Sequence, residues 1–344
     1  VETIQYTSGS GTSTSLENFT GYTTLDVTNT NLSSTVTKLL DTGVTVKSDD
    51  IDSTKTLTIN KTTAGGTLSV ELNTAIASAG SLSTNATTLD LAHTGTDSNG
   101  DYANDELAVA GSVTTINLSG GGETSSAGTH STFTLDGATS VASLTSTYDG
   151  NVTVAGQSFD TSNGATITTG ATTVASTLTV DPADLANGLL KVVDTAGTDT
   201  LTTTGEITGG TLGMLDLTGI ETIDFNDLNM AADLTMNLAN VSGLTAFRAT
   251  GPSDGDIANN ITITSMPSGV TTYLAGDMAH NTKTISVTAK TGSTTDTHVL
   301  TTDGANLTSD NAGGAFTFNG FETFTIQAGA NSIDIGTNDA LLTL

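Results

Sequence analysis

Carboxylates are the groups with which this chain could do chemistry: 36 Asp and Glu stand against 8 Lys and Arg, and there is no cysteine. The densest local arrangement is Asp97-Ser98-Asn99-Gly100-Asp101-Tyr102-Ala103-Asn104-Asp105-Glu106. Oxygen donors at Asp97, Asn99 and Asp101 match the first three ligand positions of an EF-hand-like calcium loop, and Asp105 falls at the ninth. Tyr102 occupies the place of the turn glycine and Ala108 that of the bidentate glutamate. Glu106 or a residue from elsewhere would have to complete the shell; otherwise the stretch is a solvated polar turn.

A second candidate is Asp194-Thr195-Ala196-Gly197-Thr198-Asp199-Thr200-Leu201. Its later half fits the Gly-x-Asp-x-apolar part of the calcium-binding nonapeptide of β-rolls, in which turns of adjacent coils share each ion. Asp194 and Thr195 replace the leading glycine pair. Asp254 and Asp256, in Ser253-Asp254-Gly255-Asp256, form a third acidic turn. Further clusters lie at Asp49-Asp50-Ile51-Asp52 and Asp224-Phe225-Asn226-Asp227; taken singly, such clusters serve turns more often than ions. The expected cofactor is Ca2+, with Asp97, Asn99, Asp101, Asp105, Asp194, Asp199, Asp254 and Asp256 as ligands.

Catalysis has a thinner inventory. The four histidines (His93, His130, His280, His298) and the one arginine, Arg248, stand in no His-x-x-x-His, Gly-x-Ser-x-Gly or related pattern. Arg248 is expected to pair with an Asp of a neighbouring strand. A glycosidase pair could arise by chance among so many carboxylates, yet there is no Trp and little Tyr on which a sugar could stack. The chain is therefore expected not to be an enzyme.

The elements that must hold these residues read as strands. Threonine is more than a fifth of the chain and alternates with Val, Ile and Leu, a pattern that suits a pleated surface buried on one face. One phrase recurs: Gly219-Ile220-Glu221-Thr222-Ile223-Asp224-Phe225 and Gly320-Phe321-Glu322-Thr323-Phe324-Thr325-Ile326, with relatives at Val1-Glu2-Thr3-Ile4 and Gly111-Ser112-Val113-Thr114-Thr115-Ile116. From Glu2 to Thr114, to Glu221 and to Glu322 the steps are 112, 107 and 101 residues, which predicts a unit of about a hundred residues used up to four times. A glutamate repeated with its strand is expected to bind a turn amide or a shared ion. Helix is expected only over Ser34 to Leu40 and over Asp181 to Gly188, with Asp181 as N-cap and Pro182 at the first position.

The fold expected is all-β, a parallel β-solenoid of short Thr/Gly-rich strands, with tandem β-sandwich domains as the alternative. Three regions are distinguished: 1–110, β-rich; 111–188, rich in Gly, Ser and Thr; and 189–344, holding the two clearest repeats. No apolar run approaches the roughly 20 residues that span a bilayer. The formal charge of −28 disfavours nucleic acid and anionic lipid as partners. Because Val1 falls inside a copy of the phrase, the chain is expected to be a piece or a processed product of a longer one.

The Asp-Thr-Leu and Gly-apolar-Glu-Thr-apolar order, in an acidic, cysteine-free, Thr/Gly/Ala/Asn-rich chain, resembles the RTX-type surface-layer proteins of Gram-negative bacteria. The resemblance is sharpest over 189–344. It implies type I secretion, calcium-dependent folding outside the cell and self-assembly into a surface (S-layer) lattice, with anchoring to cell-surface polysaccharide through an upstream region. A repeat adhesin or filament subunit is the alternative, and a polysaccharide-active β-helix enzyme ranks third.

Overall fold

A computed structural model describes residues 2–7, 11–28, 33–49, 51, 54–73, 80–96, 102, 104–122, 130–136, 140–155, 159, 164–170, 175–205, 207, 210–225, 232–250, 259–277, 284–291, 295–306 and 315–328. It forms two compact units, Val1–Thr179 with Thr195–Gly197, and Val180–Asp194 with Thr198–Leu344.

Each unit is a parallel β-solenoid. In the first, consecutive strands alternate between two sheets. One carries Thr3–Thr7, Thr24–Thr28, Thr45–Ser48, Thr67–Leu72, Thr88–His93, Thr115–Gly120, Ser143–Ser146 and Ala165–Thr169; the other carries Ser13–Ser15, Ser34–Leu39, Thr56–Lys61, Gly80–Thr84, Asp105–Gly111, Thr132–Asp136, Asn151–Val154 and Thr177–Val180. In the second unit the corresponding orders are Leu190–Asp194, Gly210–Thr218, Leu234–Ser242, Ile261–Met266, Thr284–Ala289, Ala315–Asn319, and Thr200–Thr203, Thr222–Phe225, Ala246–Thr250, Thr271–Asp277, Thr297–Asn306, Thr323–Ala328.

Parallel strands usually sit in sheets covered on both faces and read as unbroken apolar runs. Here they alternate, because one face of each sheet lines the coil interior and the other meets solvent. Inward positions stack coil upon coil: Leu25, Val46, Val70, Leu91 and Leu118 are successive register partners, each no more than 2% exposed. Burying one such side chain contributes roughly 1.5–3 kcal/mol. The outward rows carry polar pairs. Lys47 binds Glu71 at 3.1 Å, and Asn117 Nδ2 donates to Asp90 Oδ1 at 2.6 Å.

The repeating unit is the coil. Thr24 pairs with Thr45, 21 residues on, Asp90 with Asn117 after 27 and Thr222 with Ala246 after 24. The hundred-residue spacing expected from the recurring phrase resolves into whole coils only in part: Thr3–Thr7 and Thr115–Gly120 stand five coils apart in one sheet and Thr222–Phe225 and Thr323–Ala328 four coils apart in the other, whereas the 107-residue step between the two sets changes sheet.

Thr-Thr followed by an apolar residue recurs at Thr23-Thr24-Leu25, Thr87-Thr88-Leu89 and Thr114-Thr115-Ile116, and the pair has a hydrogen-bonding cause. Where a strand begins, two successive N–H groups converge on one carbonyl of the coil before: Thr23 and Thr24 on Glu2 O, Thr87 and Thr88 on Gly66 O, Thr114 and Thr115 on Thr87 O. The first threonine of each pair adds its hydroxyl to the same carbonyl, at 3.1, 3.4 and 3.3 Å. Corner Asn, Asp and Ser side chains accept other backbone N–H groups. Asp233 Oδ1 takes the Asn260 N–H at 3.0 Å, and Asn260 Oδ1 the Thr284 N–H at 2.9 Å.

Ser34–Leu39 is a strand, which corrects the expected helix over Ser34 to Leu40. Lys38 has φ +62 and the register with Thr56–Lys61 shifts between Val36 and Leu39. This bulge turns both Thr37 and Lys38 outward and brings Leu39 back to the core, and bulges of this kind add one residue to the spacing. Apolar residues at 36, 39 and 40 therefore imitate a helical stripe. The second expected helix is a turn followed by the 3-10 helix Ala186–Gly188. Asp181 Oδ1 accepts the Ala183 N–H at 2.8 Å, and Gly188 closes it at φ +66.

Candidate metal centre

Among the described residues, one group of three His, Asp or Glu side chains places its ligand atoms within 4.8 Å of one another: Asp194, Asp199 and Glu221. All three belong to the second unit. Asp194 ends the strand Leu190–Asp194, Asp199 stands immediately before Thr200–Thr203, and Glu221 immediately before Thr222–Phe225 of the next coil. Asp194 is 6% exposed and Asp199 3%.

The recurring glycine allows the corner to close. Gly219 has φ +79, and a Cβ there would lie 2.2 Å from Asp194 O, so any other residue would push the two coils apart. Ile220 is fully buried, and its anchoring in the core sets the direction of Glu221. The glutamate then brackets the peptide of Asp199. Glu221 Oε2 accepts the Asp199 N–H at 2.8 Å, while the Thr222 N–H donates to Asp199 O at 3.1 Å.

The second copy of the phrase repeats the bracket. Glu322 Oε2 accepts the Asp296 N–H at 2.5 Å, and the N–H groups of Glu322 and Thr323 donate to Asp296 O at 3.0 and 3.1 Å. What it lacks is the third carboxylate. Ala289 ends Thr284–Ala289 as Asp194 ends its strand, and the Cβ of Ala289 lies 3.4 Å from where a Cβ on Gly320 would be. The turn-amide role expected of both glutamates is found in both copies; only the first adds an acidic trio.

Three carboxylates at this spacing, two of them deeply buried, suit a hard cation that takes oxygen ligands. Each offers one ligand oxygen to the group, so the remaining ligands of a six- to eight-coordinate calcium would have to come from other oxygens. Of the expected ligands, Asp194 and Asp199 are brought together here. Asp97, Asn99, Asp101, Asp254 and Asp256 lie outside the described residues, and Asp105 opens the strand Asp105–Gly111. Thr96 and Tyr102 form an antiparallel bridge across 97–101. The spacing-based ligand set omits Glu221, because the 22 residues between it and Asp199 make one coil rather than one loop.

Of the other polar groups singled out by sequence, Arg248 is on the outward face, His93 and His298 are buried, and His280 lies outside the described residues. Arg248 stands in register with Asp224 of the preceding coil and Tyr273 of the next, its guanidinium carbon 4.8 Å from the tyrosine ring centroid. Burial raises the Asp224 carboxyl above its usual range, and the Arg248 charge opposes that rise. His93 lies among Tyr102, Phe133 and Tyr148, and His298 among Phe318, Phe321 and Phe324.

Comparison with protein-family profiles, with curated proteins and with solved structures finds no match to this chain.

Proposed function

We propose that the chain is a structural, non-enzymatic protein of the extracellular bacterial surface that assembles with copies of itself into a calcium-dependent layer. The observation that carries this reading is the corner built by the recurring phrase: in both copies the glutamate bonds a backbone amide of the coil before it. A carboxylate fixed in this way stiffens a scaffold. The Asp194, Asp199 and Glu221 trio supports calcium as the cation, since a divalent ion would offset the mutual repulsion of three close charges. When bound, the ion would supply charge neutralisation and a bridge between successive coils; Asp194, Asp199 and Glu221 would hold it. The acidic excess of the whole chain favours the same partner over nucleic acid or anionic lipid. The S-layer resemblance adds secretion and lattice formation to this reading.

A fibre or repeat adhesin uses the same solenoid, and imaging separates the readings. Purified protein in millimolar calcium is expected to form two-dimensional sheets with a unit cell in negative stain, and to disperse in EGTA. Fibres would instead support the filament subunit. Monomers under both conditions would refute assembly.

A further inference from the structure

The turn ahead of Ala186–Gly188 holds the one Asp-Pro bond of the chain, Asp181-Pro182. Two hydrogen bonds fix the groups on either side of its carbonyl carbon. Asp181 O, the oxygen of that peptide, accepts the Asp184 N–H at 3.0 Å, and Asp181 Oδ1 accepts the Ala183 N–H at 2.8 Å. Covalent geometry alone keeps an aspartate carboxylate in reach of its own carbonyl carbon, and these bonds remove rotational freedom from both groups.

An N-capped turn can make both bonds without further consequence; Asp184 sets this one apart. It is 2% exposed, and its Oδ2 has no hydrogen-bond partner among the described residues. Burial, and after it the charge of Asp181, the one charge that bears on it, raises its carboxyl to about 6. In mild acid it is therefore a neutral group with a proton to give. Pro182 supplies the matching leaving group, a tertiary amide nitrogen that departs as a basic secondary amine. Asp181 and Pro182 are half-buried and Ala183 is exposed, so water reaches the turn.

We propose that the chain cleaves itself once at the Asp181-Pro182 bond, with Asp181 as nucleophile and Asp184 as general acid. An Asp181 carboxylate oxygen bonds to its own carbonyl carbon, and the oxyanion that forms rests on the Asp184 N–H. The carbon–nitrogen bond breaks as the Pro182 nitrogen takes the Asp184 proton, leaving a cyclic anhydride on Asp181. Water, the only co-reactant, opens the anhydride to two carboxylates. Of the two protons released, one restores Asp184 and the other charges the new Pro182 amine. The cut divides the chain between the strands Thr177–Val180 and Leu190–Asp194.

The test is incubation of the full chain at pH 5, folded in buffer and unfolded in urea, read by intact-mass spectrometry. The folded chain is expected to yield Val1–Asp181 and Pro182–Leu344, with the mass of one water gained between them, at least tenfold faster than the unfolded chain. Asp184→Asn keeps the backbone N–H and removes the proton; it should slow the folded reaction at least tenfold and leave the reaction in urea unchanged. Pro182→Ala, which exchanges the leaving group, should also slow the folded reaction and decides the question if Asp184→Asn loses the circular dichroism of the parent. An intact folded chain, equal rates in buffer and urea, or undiminished cleavage of either folded variant would overturn the proposal.

Discussion

Asp184 lies in the turn ahead of Ala186–Gly188, 2% exposed and with Oδ2 unbonded. Burial, with a smaller contribution from the charge of Asp181, pushes its carboxyl up to about 6 from 3.8. The folded state therefore holds this proton more tightly than the unfolded chain, so stability falls as pH rises from 3.8 through 6 and the full penalty stands above that. Asp184→Asn should raise the unfolding free energy at pH 7.5 by up to about 3 kcal/mol and change it little at pH 3.5. Equal effects at the two pH values would contradict that assignment.

His298 behaves in the opposite sense. Burial among phenylalanines lowers its pKa to about 4 from 6.5, and among the described residues neither ring nitrogen has a hydrogen-bond partner. Here the unfolded chain binds the proton better, so stability is lost as pH falls from 6.5 through 4. Circular dichroism melts of His298→Phe should show a flatter dependence over that window than the parent. Thr272 marks a further local defect. It occupies the inward row between Phe247 and Leu300, and its hydroxyl is buried and unbonded beside a small apolar void. Thr272→Val should gain about 1 kcal/mol in chemical denaturation, since it removes an unsatisfied hydroxyl at nearly constant volume.

Strands and corners are the elements that divide the legible from the illegible. The Thr/apolar alternation makes the strands readable: Thr222–Phe225 and Thr323–Ala328 begin inside the two full copies of the recurring phrase. The bulge at Lys38 is not readable, because one extra residue converts a period of two into a spacing that mimics helix. Corner chemistry is half readable. The Gly-apolar-Glu-Thr phrase points to a conserved geometry of the chain with itself, yet its partner, the Asp-Thr turn of the coil before, is one coil away in sequence. Two substitutions separate the roles at this corner. Glu322→Ala leaves the Asp296 N–H without its acceptor and should cost roughly 1–3 kcal/mol. Gly219→Ala should cost more than Gly320→Ala, because a Cβ at 219 meets backbone at 2.2 Å whereas one at 320 meets Ala289 Cβ at 3.4 Å. Equal melting temperatures for the two glycine variants would contradict the close-approach explanation.

At the scale of the whole molecule, composition made the all-β class plain and the solenoid the better of two architectures, because short Thr-rich strands with few aromatics stack as coils. The coil length was hidden by its variation, from 19 residues between Thr132 and Asn151 to 31 between Thr284 and Ala315. Cation sites were hidden for the same reason: a motif search sees loops, whereas Asp199 and Glu221 meet only when the coil closes. A formal charge of −28 makes the molecule self-repelling, so a cation bound at a corner would act on stability and on the approach of copies alike.

The most direct measurement is thermal unfolding of the parent, Asp194→Asn and Asp296→Asn, each in EGTA and in millimolar calcium. The parent midpoint should rise with calcium, by the shift that about 2.7 kcal/mol produces at a hundredfold excess over the dissociation constant. Asp194→Asn should lose that rise while melting no lower than the parent in EGTA, because one of three repelling charges is gone. Asp296→Asn, altered at the copy where Ala289 replaces the third acid, should keep it. A parent midpoint indifferent to calcium, or an equal rise in Asp194→Asn, would contradict the account.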